Sequence, residues 1–503
     1  MSKKKYDSDF CGSLPLNHIN VIQSYGYLLV VENHTFKVLQ VSENAVELFD
    51  RPLQEIIGTL LGEEFDLSQL KELQGRFETK ANQKIPFTIM ISHRKTPVLA
   101  HFKPGYIILE VEKSEVEYER TFTKVFEEVK YAMAAIESAS SVIEVSQAAV
   151  HELRKVTGFD GIMMYRFDDD WNGTVIAEEK VDELENYLGH TFPGSDVPKQ
   201  ARDLYLKNPY RLIPDRQYEP IRLYPVVNPV TNAFIDLSDC NLRGVAAVHL
   251  EYLKNMNVKA SMSFRVIDND KLWGLIACHH IEPLYLNFEL CAICELISSV
   301  TSNRIASILH KTAREIESDL QNQQTELFAQ VYTLNDINKG LLNAGGNNLM
   351  HLLHATGVVS NFQNDYQQIG AVPDRDMIEN LFLWLQNKQV EKIFYTDHLP
   401  ELFEEALPYP ELASGLLAIP LNLESGEFII AFRPEVVQTI NWGGDPNKTI
   451  NFEPDGKKYH PRASFKIWKQ QVNNTSSPWS KQELAVAENL RTFLYELITK
   501  SKG

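Results

Sequence analysis

Short apolar runs bounded by turn residues mark the first hundred positions. Gly26-Tyr27-Leu28-Leu29-Val30-Val31 predicts a strand, and Lys37-Val38-Leu39-Gln40-Val41 predicts a second. Pro86 to Ile91 and Tyr106 to Val111 continue the pattern. Ser42-Glu43-Asn44 resembles a helix start, because a serine hydroxyl can accept from the free N–H groups of a first turn. The spacing changes afterwards. Apolar positions from 131 to 155 recur at helical intervals and predict one helix. Gly161 to Phe167 is a strand. Lys259 to Val266 alternates, Asp268-Asn269-Asp270-Lys271 is a hairpin turn, and Leu272 to Ala277 returns from it.

Between these strands, residues 190–245 are rich in loop signals, with five prolines between 209 and 229. Long irregular segments of this kind carry function more often than plain connections do. Residues 290–336 hold neither proline nor glycine and form the longest helical pattern, suited to a domain-joining spine or a dimer seam. Cys291 and Cys294 lie inside it; two thiols are too few for a structural zinc site, so they are expected to be buried helix residues. Farther on, Leu416 to Leu421 and Phe428 to Arg433 are strands, 434–477 is long and strand-poor, and Ser480 to Lys500 is a helix expected to lead into a longer parent protein.

Composition narrows the function. The 503 residues suit about three domains at roughly 150 residues each. A net charge of -18 disfavours broad contact with nucleic acid or an anionic membrane, though not a small basic pocket. No apolar run reaches membrane-spanning length, and MSKKKYDSDF has no apolar stretch behind its lysines, so neither a span nor a secretory signal is expected. Five cysteines fit a reducing cytoplasm. Phosphate-binding glycine loops, GxSxG, HExxH and EF-hand patterns are all missing from the sequence.

The second domain instead gathers Tyr165, Asp196, Tyr205, Arg211, Arg243, His249, Tyr252, Ser261, Ser263 and His279, several of them at strand ends or in the 190–250 loop. Arginines hold carboxylates bidentately, serines add hydroxyl donors, and aromatics wall a flat ligand. An aspartate beside two histidines can set the protonation of nitrogen-bearing rings. The set suits a large planar ligand with carboxylate arms, without identifying one.

Three longer motifs identify a resemblance. Phe192-Pro193-Gly194-Ser195-Asp196-Val197-Pro198, Leu242 to Leu253 and Leu272 to His280 closely resemble phytochromes. Trp442-Gly443-Gly444-Asp445-Pro446 and Pro461-Arg462-Ala463-Ser464-Phe465 resemble their third domain. The resemblance spans nearly the whole chain. It implies an α+β multidomain fold of PAS, GAF and PHY domains, antiparallel sheets flanked by helices, joined by a long helix and carrying a tongue-like extension. The expected segments are an N-terminal arm 1–17, PAS 18–125, GAF 126–297, connecting helix 298–336, PHY 337–480 with tongue 434–477, and output helix 481–503.

Within the family the chain resembles the biliverdin-binding bacterial phytochromes. Cys11 matches their attachment cysteine, while Val248 occupies the place where plant and many cyanobacterial relatives put theirs. The resemblance implies a linear tetrapyrrole, biliverdin, thioether-linked through Cys11. It implies that Asp196 turns its backbone carbonyl to the pyrrole nitrogens and its carboxylate to the tongue, and that His249 packs over the central rings. His279 matches the residue beside ring D; Tyr165, Phe192 and Tyr205 match its surroundings, with Tyr252 near this network. Arg211, Arg243, Ser261 and Ser263 match the propionate anchors. Arg462 is the expected partner of Asp196, with Ser464 as a replacement after switching.

The implied function is a red/far-red photoreceptor module without catalysis of its own, cytoplasmic and a parallel homodimer. It would signal to an output domain, with a histidine-kinase parent and a response regulator as further partners. The alternative is a PAS–GAF regulatory protein sensing another small ligand. Departures from the family pattern are Ser24-Tyr25, Gly194, which is expected to loosen its loop, Val197 and Lys466.

Overall fold

The computed structural model describes residues 19–61, 84–91, 94–113, 122–446, 450–452, 459–461 and 464–501. The chain divides into two compact units, Met1–Ile308 with Asn441–Trp468, and Leu309–Ile440 with Lys469–Gly503.

The first unit opens with a seven-stranded antiparallel sheet. Its order is Val21–Ile22, Ile221–Tyr224, Val38–Ser42, Gly26–Glu32, Tyr106–Glu112, Arg94–Lys103 and Ile85–Ile91. Continuous apolar runs, not alternation, mark its central strands because both faces are covered. Tyr27, Leu29, Val31, Ile107, Leu109 and Val111 face one core. Leu28, Val30 and Ile108 face another, built with Leu223, Ile235, Leu237 and Leu242 from the irregular loop of the following domain. That loop also supplies the strand Ile221–Tyr224, so the two domains share a sheet. Ser42 does precede a short helical turn, Glu43–Ala45, but it does not cap it: its hydroxyl accepts from Leu28 N at 3.0 Å instead.

The single helix expected over 131–155 is two helices, Phe122–Ser138 and Val142–Thr157. The break follows from its serines. Ser141 Oγ accepts from Glu144 N, and Glu144 Oε2 accepts from Ser140 N at 2.8 Å, which starts a new helix. The second sheet runs Tyr210–Ile213, Ala260–Asp268, Lys271–His280, Gly161–Phe167, Gly173–Lys180, Thr191–Phe192. Its hairpin turn has Asn269 and Asp270 at φ 48° and 59°, the left-handed pair that a two-residue turn needs.

The stretch 434–477 is not strand-poor. It contains the strands Gln438–Gly443, Ile450–Phe452, Tyr459–Pro461 and Ile467–Val472, and Trp442 pairs in parallel with Thr191. Short strands separated by Gly, Pro and Asp give little alternation to detect. The long helix is one element of 47 residues, Phe288–Leu334, and Cys291 and Cys294 are buried in it.

The second unit holds a five-stranded antiparallel sheet, in the order Gln367–Gly370, Gly357–Ser360, Glu427–Arg433, Gly415–Asn422, Phe394–Thr396. Leu417, Ile419, Ile429 and Ala431 face Leu320, Leu327 and Leu490 on one side. Leu416, Ala418, Ile430 and Phe432 face the helix Arg375–Asn387 on the other. Among the described residues no helix is long and apolar enough to cross a membrane.

Candidate functional site

Strand register assembles one face of the second sheet. Arg211 lies opposite Ser263, and Ser261 lies opposite His279. Residues paired across antiparallel strands share a face, and Ser261 and Ser263 are two apart on one strand. Four of the sequence-predicted residues are therefore neighbours by register alone. Tyr205, on the helix Lys199–Lys207, donates to Ser263 Oγ at 2.9 Å. The helix Ala247–Asn255 brings His249 and Tyr252, whose rings stack 6.2 Å apart. Tyr165 and Tyr187 each meet Phe192 edge-on at 5.6 Å.

The electrostatics are those of a dry, electropositive pocket. Burial pushes His249 down to about 4, helped by the positive charges of Arg211 and Arg243. Burial and the neighbouring His249 push His279 down to about 4 as well. Both imidazoles are therefore neutral at pH 7. Asp196 is not among the causes of either shift. Arg243 is pushed down to about 9, chiefly by burial and then by Arg211.

Of the two arginines expected as carboxylate anchors, Arg211 turns its donors to the main chain. Arg211 donates to the carbonyls of Asn241 at 3.2 Å and Gly244 at 3.0 Å, and to that of Arg243. It holds the segment leading into the His249 helix, and among the described residues none of its hydrogen bonds goes to a carboxylate.

Asp196 lies in the turn Gly194–Asp196, and its Oδ2 accepts from Tyr252 Oη at 3.1 Å. Tyr252 also meets Phe465 edge-on at 5.0 Å; Phe465 is buried and lies 6.5 Å from Phe192. His460 Nδ1 is 2.9 Å from Glu251 Oε2. Ser464 is exposed. Cys11 and Arg462 lie outside the described residues. Sequence reasoning missed Glu251 and His460. Glu251 stands two residues after His249 and the only signal for it was its place on that helix.

His101, Asp239 and Cys240 present ligand atoms within 4.8 Å of one another. They fit a metal poorly. Lys103 Nζ already meets both Asp239 oxygens at 2.8 and 2.9 Å, Glu110 meets His101 Nε2 at 2.6 Å, and burial pushes the Cys240 thiol well up. The group is an ion network that ties the first sheet to the loop covering it.

The pocket fits a planar dicarboxylate better. It offers the guanidinium of Arg211, that of Arg243 beside it, two neutral imidazoles and paired serines. Ser195 Oγ and His190 Nδ1 are buried without a hydrogen-bond partner among the described residues.

Comparison with known proteins agrees with this layout. The family profile for the PAS fold matches residues 11–114, that for the GAF domain 141–308, and that for the phytochrome region 320–502. Cyanobacterial phytochrome B of Nostoc sp. is 35% identical over 98% of this chain and 66% of its own length. A bacteriophytochrome of Xanthomonas campestris pv. campestris is 30% identical over 99% of this chain and 79% of its own. The chain spans about two thirds of the length of the cyanobacterial relatives it matches. Among solved structures, a bacteriophytochrome from the photosynthetic bacterium R. palustris superposes with TM-score 0.83 at 31% identity, covering 98% of this chain and 99% of that one. The photosensory core module of a Stigmatella aurantiaca phytochrome gives 0.82 at 30% identity, covering 99% of each.

Proposed function

The chain belongs to the phytochrome family as a PAS–GAF–PHY photosensory module, and from that premise we propose that it holds biliverdin, thioether-linked through Cys11, as a red/far-red light sensor. The observation that carries this reading is the shared face of Arg211, Ser261, Ser263 and His279, with His249 and Arg243 near it. Bound there, the tetrapyrrole supplies red absorption and a methine double bond that isomerises in light.

The protein's share is placement and electrostatics. Arg243, with Ser261 and Ser263, takes the carboxylate arms, and Arg211 adds its charge while keeping the 241–244 segment in place. Neutral His249 and His279 offer one donor and one acceptor each without placing extra charge beside the rings. Tyr165, Phe192 and Tyr205 would wall the end that takes ring D, and a change there would alter the hydrogen bonds of His279. Asp196 and Tyr252 pass that change to the tongue, with Arg462 as the partner of Asp196 in one state and Ser464 in the other. Tongue and long helix then act as the two-state element.

On this reading the chain is a cytoplasmic parallel homodimer and has no catalysis of its own. Its output domain, a histidine kinase acting on a response regulator, belongs to the parent protein. The test is absorption. The chain mixed with biliverdin is expected to develop a strong red band that shifts under red light, and a zinc-fluorescent band on a denaturing gel. A chain that takes up no biliverdin, or one whose band ignores light, would overturn the reading.

A further inference from the structure

The turn that carries Asp196 is held by two side chains outside the set described above, Arg202 and Trp171. Arg202 is buried, and its Nη1 donates to Val197 O at 2.7 Å and Gly194 O at 3.4 Å. Those two carbonyls bracket Asp196 in the chain, so one guanidinium ties both ends of its turn. The face of Trp171 lies 4.3 Å from the Arg202 guanidinium carbon. Trp171 sits at the tip of the hairpin between Gly161–Phe167 and Gly173–Lys180, with φ at 66°, a conformation that a bulky residue seldom adopts without compensation.

The tip is organised for this contact. Asp168 Oδ1 accepts from the backbone N–H groups of Asp170 and Asn172 at 3.0 and 2.8 Å, and Oδ2 accepts from Asn172 Nδ2 at 3.0 Å. With its amide nitrogen so held, Asn172 turns Oδ1 to Gly194 N at 3.3 Å. The tip also approaches Gly194 closely. A Cβ there would lie 3.0 Å from Asp170 O, 3.1 Å from Trp171 O and 3.2 Å from Trp171 Cβ. Gly194, which on sequence grounds could loosen its loop, stands where the hairpin tip comes nearest to the turn. It lets the hairpin tip close on the turn.

We propose that Arg202 and Trp171 are positioning residues for Asp196: with Asn172 they clamp the 194–197 turn and so set how the Asp196 carboxylate meets Tyr252. The role rests on the light-sensing assignment for its consequence, but the clamp itself is a property of the chain. Arg202 supplies the bonds, Trp171 covers and orients the guanidinium, and the glycine permits the approach. Without the clamp the turn keeps its sequence but not its single placement, and the two-state choice made through Asp196 loses its bias.

The test uses hydrogen–deuterium exchange in the pigment-free chain, read on peptides covering 194–198 and 260–268. Trp171→Ala is expected to speed exchange at 194–198 about five- to tenfold, the range of a partly covered cation–π contact, with 260–268 unchanged. Gly194→Ala is expected to act in the same direction, and Trp171→Phe, which keeps an aromatic face, to restore most of the protection. In the biliverdin-loaded chain the same ranking should order the rates of recovery after red light, with uptake unaltered. Unchanged exchange at 194–198 in both Trp171→Ala and Gly194→Ala would overturn the clamp. So would equal acceleration across 260–268, which would mark a general loss of stability, or Trp171→Phe behaving like Trp171→Ala. If the wild-type chain takes up no biliverdin, the light-sensing assignment fails while the exchange result still decides the clamp.

Discussion

Tyr252 donates its phenolic hydrogen to Asp196 over 3.1 Å while its ring edge rests against Phe465. One side chain thus joins the aspartate turn to the buried anchor of the tongue. Tyr252→Phe keeps the ring and removes only the donor. Biliverdin uptake is expected to stay within about twofold of wild type. Loss of a hydrogen bond to a carboxylate costs the state seen here about 1 kcal/mol or more, so return to that state after illumination should slow by roughly three- to tenfold. Recovery followed at the red band checks this; an unchanged rate would remove Tyr252 from the signalling path.

The attachment assignment makes a sharp prediction because Val248 cannot form a thioether. The Cys11→Ala chain is expected to bind biliverdin by shape and charge alone and to lose it on denaturation. Mass spectrometry of the denatured chain decides the matter. Cys240 is a poor substitute, since it is fully buried among the residues of the first sheet and its thiol is held protonated by burial. An adduct still present on any cysteine would count against Cys11.

The neutral histidines predict an acid sensitivity. His249 and His279 titrate near 4 in the fold, against an ordinary value of 6.5. The unfolded chain therefore binds protons that the fold refuses. Their contribution is complete above about pH 6.5 and is lost as pH falls from there toward 4. Between pH 7 and pH 5 the pigment-free chain should lose roughly 2 kcal/mol per imidazole beyond what a His249→Asn, His279→Asn chain loses. Denaturant titrations at the two pH values provide the comparison, and parallel losses in both proteins would show that the imidazoles are not held neutral.

Much of this site was legible because its residues sit on motifs whose spacing survives on its own. Arg211, Ser261, Ser263 and His279 lie at register positions, and an alternating strand carries its register in its sequence. What escaped was everything made by chain segments distant in sequence. The second face of the strand at 106–112 is covered by residues 223–242, and an apolar run does not say what covers it. The break at Ser140-Ser141 was hidden because helical spacing continues on both sides of it. The Arg202–Trp171 contact joins a helix to a hairpin tip, and no periodic signal links the two. The Arg211 role was half visible. Its type suits a carboxylate, but its donors face main-chain carbonyls that only folding brings near.

That difference between the two arginines yields a prediction in which stability and binding separate. Arg211→Ala leaves the carbonyls of Asn241, Arg243 and Gly244 short of a donor in a buried place, at about 1–3 kcal/mol for each one that water cannot reach. The pigment-free Arg211→Ala chain should therefore unfold more easily, and the segment before the His249 helix should exchange faster. Burial and the charge of Arg211 both disfavour the Arg243 cation in the free chain. Biliverdin uptake should nonetheless slow severalfold or more in Arg243→Ala, because a carboxylate arm loses a charged partner in a dry pocket. Thermal unfolding of the free chains, set beside the rate at which the red band grows, measures both effects. If Arg211→Ala proves as stable as wild type, or Arg243→Ala assembles at the wild-type rate, the role given to that arginine is wrong.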